Sequence, residues 1–166
     1  MTDADFRDAF RRHKDVVFRY AYRMTGSSPT AEDVVQDCFV ALWRKPEAYD
    51  PNRGALRAFL LGIARNLVLK RWRSERPHES LEEATDSCAC LPLDIARQER
   101  GEAVRQAVLR LPPLQREAVI MADCEEMSLE EIAIATGAEI VAVKSRLHRA
   151  RQNLRRMLGP LFMIER

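Results

Sequence analysis

The stretch from Ser128 to Leu154, "SLEEIAIATGAEIVAVKSRLHRARQNL", constrains the fold more than any other part of the chain. Ser128 followed three residues later by Glu131 is a capping box, in which each side chain bonds the other residue's backbone N–H and starts a helix. Leu129, Ile132 and Ala133 give that helix one apolar side. Gly137 stops it, because glycine accepts the left-handed backbone that ends many helices. Ile140, Val143, Leu147, Ala150 and Leu154 then recur at intervals of three, four, three and four, which is a second helical stripe. Lys144, Ser145, His148, Arg149 and Gln152 fall on the opposite face, and from Glu139 to Arg156 there are six Lys/Arg against one acid. A short helix, a tight turn, and a helix buried on one side and cationic on the other have the makings of a helix-turn-helix whose second member enters a DNA groove.

The rest of the chain also reads as helices. Phe6, Phe10, His13, Val17, Tyr20 or Ala21, and Met24 mark the core side of a first helix, stopped at Gly26. A second runs from Ala31 to about Arg44, with Val35, Cys38, Phe39 and Leu42 inward and Glu32, Asp33, Gln36 and Asp37 outward. "KPEAYDPNRG" is a loop by its prolines, Asn52 and Gly54. A third helix, from about Ala55 to Ser74, directs Leu56, Phe59, Leu60, Ile63 and Leu67 inward. Ile95 to Leu111 and a segment beginning near Leu114 form two more, divided by Pro112 and Pro113. Neither strand alternation nor an internal repeat interrupts the pattern. The expected fold class is all-α, with two small helical domains joined by an acidic linker and a helix-turn-helix in the C-terminal one.

The formal net charge of +2 conceals how the charges are distributed. Residues 1–77 hold 15 basic and 10 acidic side chains, residues 78–96 hold five acids and no Lys or Arg, and residues 97–166 hold 12 basic and 10 acidic. The expected organisation is therefore one domain over 1–77, a linker over 78–96 and a second domain over 97–166. Two basic blocks on a tether suit a polyanion. The linker has only Leu81 and the cluster from Leu91 to Ile95 to bury, too little to offset the entropy of ordering it. The two modules are accordingly expected to move independently in the free protein, with fast amide exchange over 78–96.

Other function classes find little support in the sequence. The N-terminus "MTDADFRDAF" is charged and lacks an apolar core, and no apolar run approaches the roughly 20 residues that cross a bilayer. A cytoplasmic location without membrane insertion is expected. Cys38 and Cys124 stand alone, and the C-x-C of Cys88 and Cys90 lacks a second pair, so reduced thiols are expected, with no metal and no cofactor. His13, His78 and His148 are isolated, and no nucleophile, metal-spaced or Gly-rich phosphate motif points to an enzyme. The end of the third helix, "ARNLVLKRWRSER", is more informative: Arg65, Lys70, Arg71, Arg73 and Arg76 face a single acid, Glu75. Asn66, Lys70 and Arg73 share one side, and Trp72 and Tyr49 add aromatic surface. Cations for phosphates, with an amide and aromatic rings for an exposed base, suit single-stranded DNA.

Four collinear stretches, "AEDVVQDCFVALW", "FLLGIARNLV", "LPPLQREAVIM" and "SLEEIAIATG…VKSRLHRARQNL", resemble a bacterial sigma factor of the extracytoplasmic-function group over nearly the whole chain. The resemblance implies a protein that is not an enzyme but binds core RNA polymerase, directs it to a promoter and helps open the duplex, under the restraint of an anti-sigma factor. It implies that Asp33, Gln36 and Asp37 face the polymerase clamp helices. Asn66 and the loop from Tyr49 to Gly54 would hold a flipped base of the minus-ten element, with Lys70, Arg71 and Arg73 on the adjacent strand. Lys144, Ser145, His148 and Arg149 would meet the minus-thirty-five element, with Arg146 and Arg151 as phosphate clamps. The chain departs from the family pattern at Val141 and Ala142, where a Gly-Thr pair is usual, and at Phe59, where tryptophan is common. Its apolar tail, "GPLFMIER", is expected to pack on its own domain or else to dock a partner.

Overall fold

The computed structural model describes residues 1–81 and 100–164, and side chains as far as Gly159. Cys88, Cys90, most of the expected linker and the side chains of the apolar tail lie outside the described residues, as do the expectations placed on them. All regular structure among the described residues is helical: α1 Asp3–Thr25, α2 Ser28–Arg44, α3 Leu56–Glu75, α4 Arg100–Arg110, α5 Pro113–Val119, α6 Leu129–Thr136 and α7 Ile140–Ile164. A 3-10 turn, Pro46–Ala48, follows α2, and a π-turn, Ile120–Cys124, prolongs α5.

Local chemistry sets most of these boundaries. Thr2 and Asp5 form a capping box at the start of α1, and the bonds from Thr2 hold the Asp5 carboxyl below its usual pKa. Gly26 ends α1 at φ 69°, and glycine is needed there twice over: an added Cβ would also lie 2.9 Å from the Leu109 side chain. Ser27 caps α2, which begins at Ser28, three residues before the start expected from the sequence. Pro29 does not prevent this, because a proline in the first turn lacks only an N–H that has no partner there. The second capping box is present as expected: the Ser128 N–H donates to Glu131 Oε1 (3.2 Å), the Glu131 N–H to Ser128 Oγ (3.1 Å), and Gly137 closes α6 at φ 69°. A helix of eight residues has little else to fix its start. Ser128→Ala is expected to cost about 1 kcal/mol, measurable as a lowered urea midpoint at unchanged m-value.

Helices α1 to α3 form one bundle around Val17, Tyr20, Met24, Val34, Leu42 and Leu60, all buried. Helices α4 to α7 form the other, and here Val143, Leu147, Ala150 and Leu154 lie inward as the stripe requires, while Ile140 at its leading end is 38% exposed. Phe10, expected inward on α1, is 39% exposed and meets Phe39 edge-on at 5.0 Å. In α3 the fully buried residues are Leu60, Leu61, Ala64, Val68 and Leu69, whereas Leu56, Phe59, Ile63 and Leu67 are half-buried. That shift from the expected face has a cause: α3 is covered on one side by α1 and α2 and on another by α6.

The expectation of two independent modules is therefore corrected. A single apolar cluster runs from α1–α3 into α4–α7, with α1 against α4, α5 and the π-turn as well. Arg116 of α5 stitches the seam, donating to the carbonyls of Met24 (2.6 Å), Leu109 (2.7 Å) and Leu111 (2.8 Å), while burial pulls its pKa down to about 10. The expectation rested on the composition of the linker. That composition carries no information about the complementarity of the surfaces it joins.

Candidate nucleic-acid interface

Asp33, Gln36 and Asp37 project from the solvent side of α2, placed together by the three- and four-residue spacing of a helix. Trp43, 50% exposed and seven residues beyond Gln36, continues the same helix surface and was not singled out from the sequence. Arg71 of α3, expected on DNA, instead lies beside these acids, 3.7 Å from Asp37 and 4.0 Å from Asp33. The pairs are largely exposed and hold it loosely. Lys70 and Arg73 are exposed, and the Arg76 guanidinium sits 5.3 Å from the centroid of the half-buried Trp72 ring.

The loop between α2 and α3 folds on itself. The Tyr49 hydroxyl donates to the Gly54 carbonyl (3.2 Å), the Asn52 N–H donates to Asp50 Oδ1 (2.9 Å), and the Tyr49 ring rests against Phe59 at 5.4 Å. Between this loop and α3 lies a cavity of about 270 Å³ with Tyr49, Arg53, Phe59 and Asn66 in its wall. The Asn66 side-chain oxygen accepts a 3.4 Å bond from Arg65. The residues that the sequence placed on an exposed base are thus brought together. The opposite wall, however, is Glu131, Ile134 and Ala135 of α6.

Two buried acids of the second bundle hold cations of the first. Glu125, only 2% exposed on its side chain, lies 3.1 Å from Arg23, 3.5 Å from Arg57 and 3.6 Å from Arg19, and its carbonyl accepts a further 2.7 Å bond from Arg57. The chain is turned to aim it inward: Glu125 N–H bonds Ile120 O, Met127 N–H bonds Met121 O, and Glu126 between them adopts φ 53°, uncommon for a residue other than glycine. Glu117 accepts a two-pronged pair from Arg65 at 2.8 and 3.3 Å, yet burial still raises its carboxyl pKa above the usual value. None of these four arginine and glutamate partnerships was read from the sequence.

On α7 the face opposite the core carries Lys144, Ser145, His148 and Arg149, all exposed, with Val141 at its leading end 77% exposed. Of the two expected phosphate clamps, Arg146 is half-buried on the side toward Glu117, whose carboxylate it helps to stabilise, and Arg151 pairs with Asp123 at 2.6 and 3.2 Å. Cys38 is buried, its thiol bonded to the Leu60 carbonyl and its pKa pushed up to about 12 by burial. Among the described residues no three His, Cys, Asp or Glu come together as a metal site, and no helix is long and apolar enough to cross a membrane.

The sigma-70 region 2 family model matches residues 9–78, and the sigma-70 region 4 model matches residues 101–154. Bundle and helix-turn-helix thus define the class, a sigma-70-type protein built from these two regions. The chain is 38% identical over 155 residues to the ECF RNA polymerase sigma factor SigE of Mycolicibacterium smegmatis, covering 90% of this chain and 60% of that protein's length. It is 30% identical over 160 residues to the RNA polymerase sigma factor CarQ of Myxococcus xanthus, covering 94% and 90%. Among solved structures, the sigma factor RpoE in complex with the anti-sigma factor NepR from Bartonella quintana matches with a TM-score of 0.74 at 26% identity, over 93% of this chain and 97% of that one. This chain belongs to the extracytoplasmic-function sigma factors, the alternative sigma factors that direct transcription initiation.

Proposed function

We propose that the chain binds core RNA polymerase through the exposed side of α2, holds one base of the minus-ten element in the cavity beside α3, and reads the minus-thirty-five element with α7. The observation that carries this reading is the convergence of Tyr49, Arg53 and Asn66 on one cavity, flanked by exposed Lys70 and Arg73. Extruding a base from a duplex costs a few kcal/mol, so an aromatic ring and a cationic rim held in place on α3 and the loop before it suit such a step. Arg71, beside Asp33 and Asp37, links the polymerase-facing and DNA-facing sides of the bundle. At α7, Lys144 and Arg149 supply donors for guanine edges, and the apolar Val141 suits the thymine methyl group. Arg151 must leave Asp123 to reach a phosphate. An anti-sigma factor is the expected inhibitory partner.

The test is run-off transcription with core polymerase on genomic DNA, followed by mapping of the start sites. Discrete starts that share sequence near minus ten and minus thirty-five support the reading; starts no different from those of core alone would end it. The double variant Gln36→Lys/Asp37→Lys is expected to weaken core binding about tenfold or more, near 1.4 kcal/mol, with its helical content intact because the positions are exposed. An unchanged affinity in a titration against core would remove α2 from the interface.

A further inference from the structure

We infer that Tyr49 is a positioning residue for base capture: its hydroxyl latches the loop before α3 so that Arg53 is held at the rim of the cavity, and its ring is not the surface on which the base stacks. This role rests on the assignment of that cavity to a DNA base. Between 46 and 55 every residue but Pro46 and Tyr49 is exposed, so burial gives the stretch little to hold it in one shape. Order comes from bonds inside the loop instead. Asp50, Pro51, Asn52 and Arg53 make a reverse turn, in which the Arg53 N–H donates to the Asp50 carbonyl (3.0 Å) and the Asn52 N–H to Asp50 Oδ1 (2.9 Å). An aspartate in first place and a proline in second suit such a turn. The Tyr49 hydroxyl then spans the turn from one flank to the other, donating to the Gly54 carbonyl at 3.2 Å.

Both ends of the Tyr49 side chain are used by the protein. Its hydroxyl serves Gly54, and its ring packs on Phe59 of α3 at 5.4 Å, tilted by 48°. Phe59, Ile63 and Asn66 follow one another at intervals of four and three in the wall of the cavity. The ring is therefore supported by the same stripe of α3 that presents Asn66, about 10 Å and two turns further along. Asn66 is placed by the helix itself and Arg53 by the turn, and Tyr49 fixes one against the other. Gly54 takes part without a side chain. Its φ of 156° is one that L side chains rarely adopt, and an added Cβ would meet nothing within 4 Å, so glycine is required there by backbone conformation and not by crowding. All of these contacts lie within residues 49–59, so the latch does not depend on how the two modules are arranged. A loop fixed before the base arrives avoids the ordering entropy that capture would otherwise cost.

The experiment separates a latch from a stacking platform. Polymerase holoenzyme carrying each variant is titrated with fluorescent single strands that contain the minus-ten element of a promoter mapped by run-off transcription. The same strands with an abasic site at each position of the element in turn serve as the comparison. Tyr49→Phe keeps the ring and loses only the hydroxyl. It is expected to weaken binding of the intact strand about fivefold, the size of one ordinary hydrogen bond, and to leave binding of the strand that is abasic at the captured position unchanged. Gly54→Ala, which strains the other end of the latch without touching the ring, is expected to do the same. The double variant should lose no more than either single one, because both act on one contact. Full affinity in either single variant, additive losses in the double variant, or equal losses on intact and abasic strands would overturn the latch while leaving the sigma-factor reading intact. If the unsubstituted holoenzyme binds intact and abasic strands alike at every position, the assignment of the cavity to a base falls, and the latch with it.

Discussion

In the Glu125→Lys variant the two modules are expected to separate while each remains helical. The Glu125 carboxylate is 2% exposed and lies among Arg19, Arg23 and Arg57, so reversing it places a fourth cation where three already converge. Breaking a buried ion pair by removing one partner costs roughly 3–5 kcal/mol, because the remaining charges lose their compensation. The three arginines keep between 35 and 51% of their side-chain surface in water, so the lower end, about 3 kcal/mol, is appropriate. That shifts a two-state equilibrium by about a hundredfold or more. The bundles themselves should survive, since the bonds that shape the turn, Glu125 N–H to Ile120 O and Met127 N–H to Met121 O, use backbone alone. Small-angle scattering should report a radius of gyration clearly above the roughly 15 Å of a compact chain of this length, with unchanged far-ultraviolet dichroism. Glu125→Gln, which keeps an acceptor for Arg23 and adds no charge, should open the chain less. A scattering curve identical to that of the unsubstituted protein would show that the apolar seam, and not this cluster, holds the modules together.

What the sequence made legible here was local. The Ser128–Glu131 box, the stop at Gly137 and the stripe from Val143 to Leu154 each depend on residues within a few positions of one another, and each is present in the fold. The two faces of α2 were equally readable, because a helix in a three-helix bundle has one dry side and one wet side. Packing between modules depends on partners far apart in the chain: Arg65 and Glu117 are 52 residues apart, and Arg23 and Glu125 are 102. A signal was nevertheless present. Residues 113–139 hold seven acids against one arginine, opposite a first module with an excess of five cations. Glu117 in particular leads directly into the apolar run "AVIM", and a buried carboxylate demands a partner. The third helix gave a similar hint, with Phe59, Leu60, Leu61, Ile63, Ala64, Leu67, Val68 and Leu69 too widely spread around it for one covered face.

The candidate site divides in the same way. Residue types on α3 and α7 were sufficient to nominate DNA contacts, but the intramolecular partners of those residues follow from the tertiary fold. Arg71 with Asp37 and Arg151 with Asp123 bring together side chains 34 and 28 positions apart, and neither pair follows from helical spacing. The cavity beside Asn66 is half made by α6, so its shape belongs to neither module alone.

Lys144 and Arg149 are expected to behave differently from Arg146 and Arg151 when each is changed to alanine. The first two stand on the exposed face of α7, near the N-terminal half that a recognition helix inserts in the major groove. Losing a bidentate base contact should cost about 1–3 kcal/mol and relax preference at one position of the minus-thirty-five element. A phosphate contact instead weakens all sequences alike and lowers the salt slope of binding by about one. Arg151→Ala should lose less than a free phosphate clamp would, because the unsubstituted side chain first gives up its bonds to Asp123. The measurement is binding of the polymerase holoenzyme to the mapped promoter and to single-base variants of its minus-thirty-five element, at several salt concentrations. Equal losses on matched and altered sequences for Lys144→Ala and Arg149→Ala would remove them from base reading.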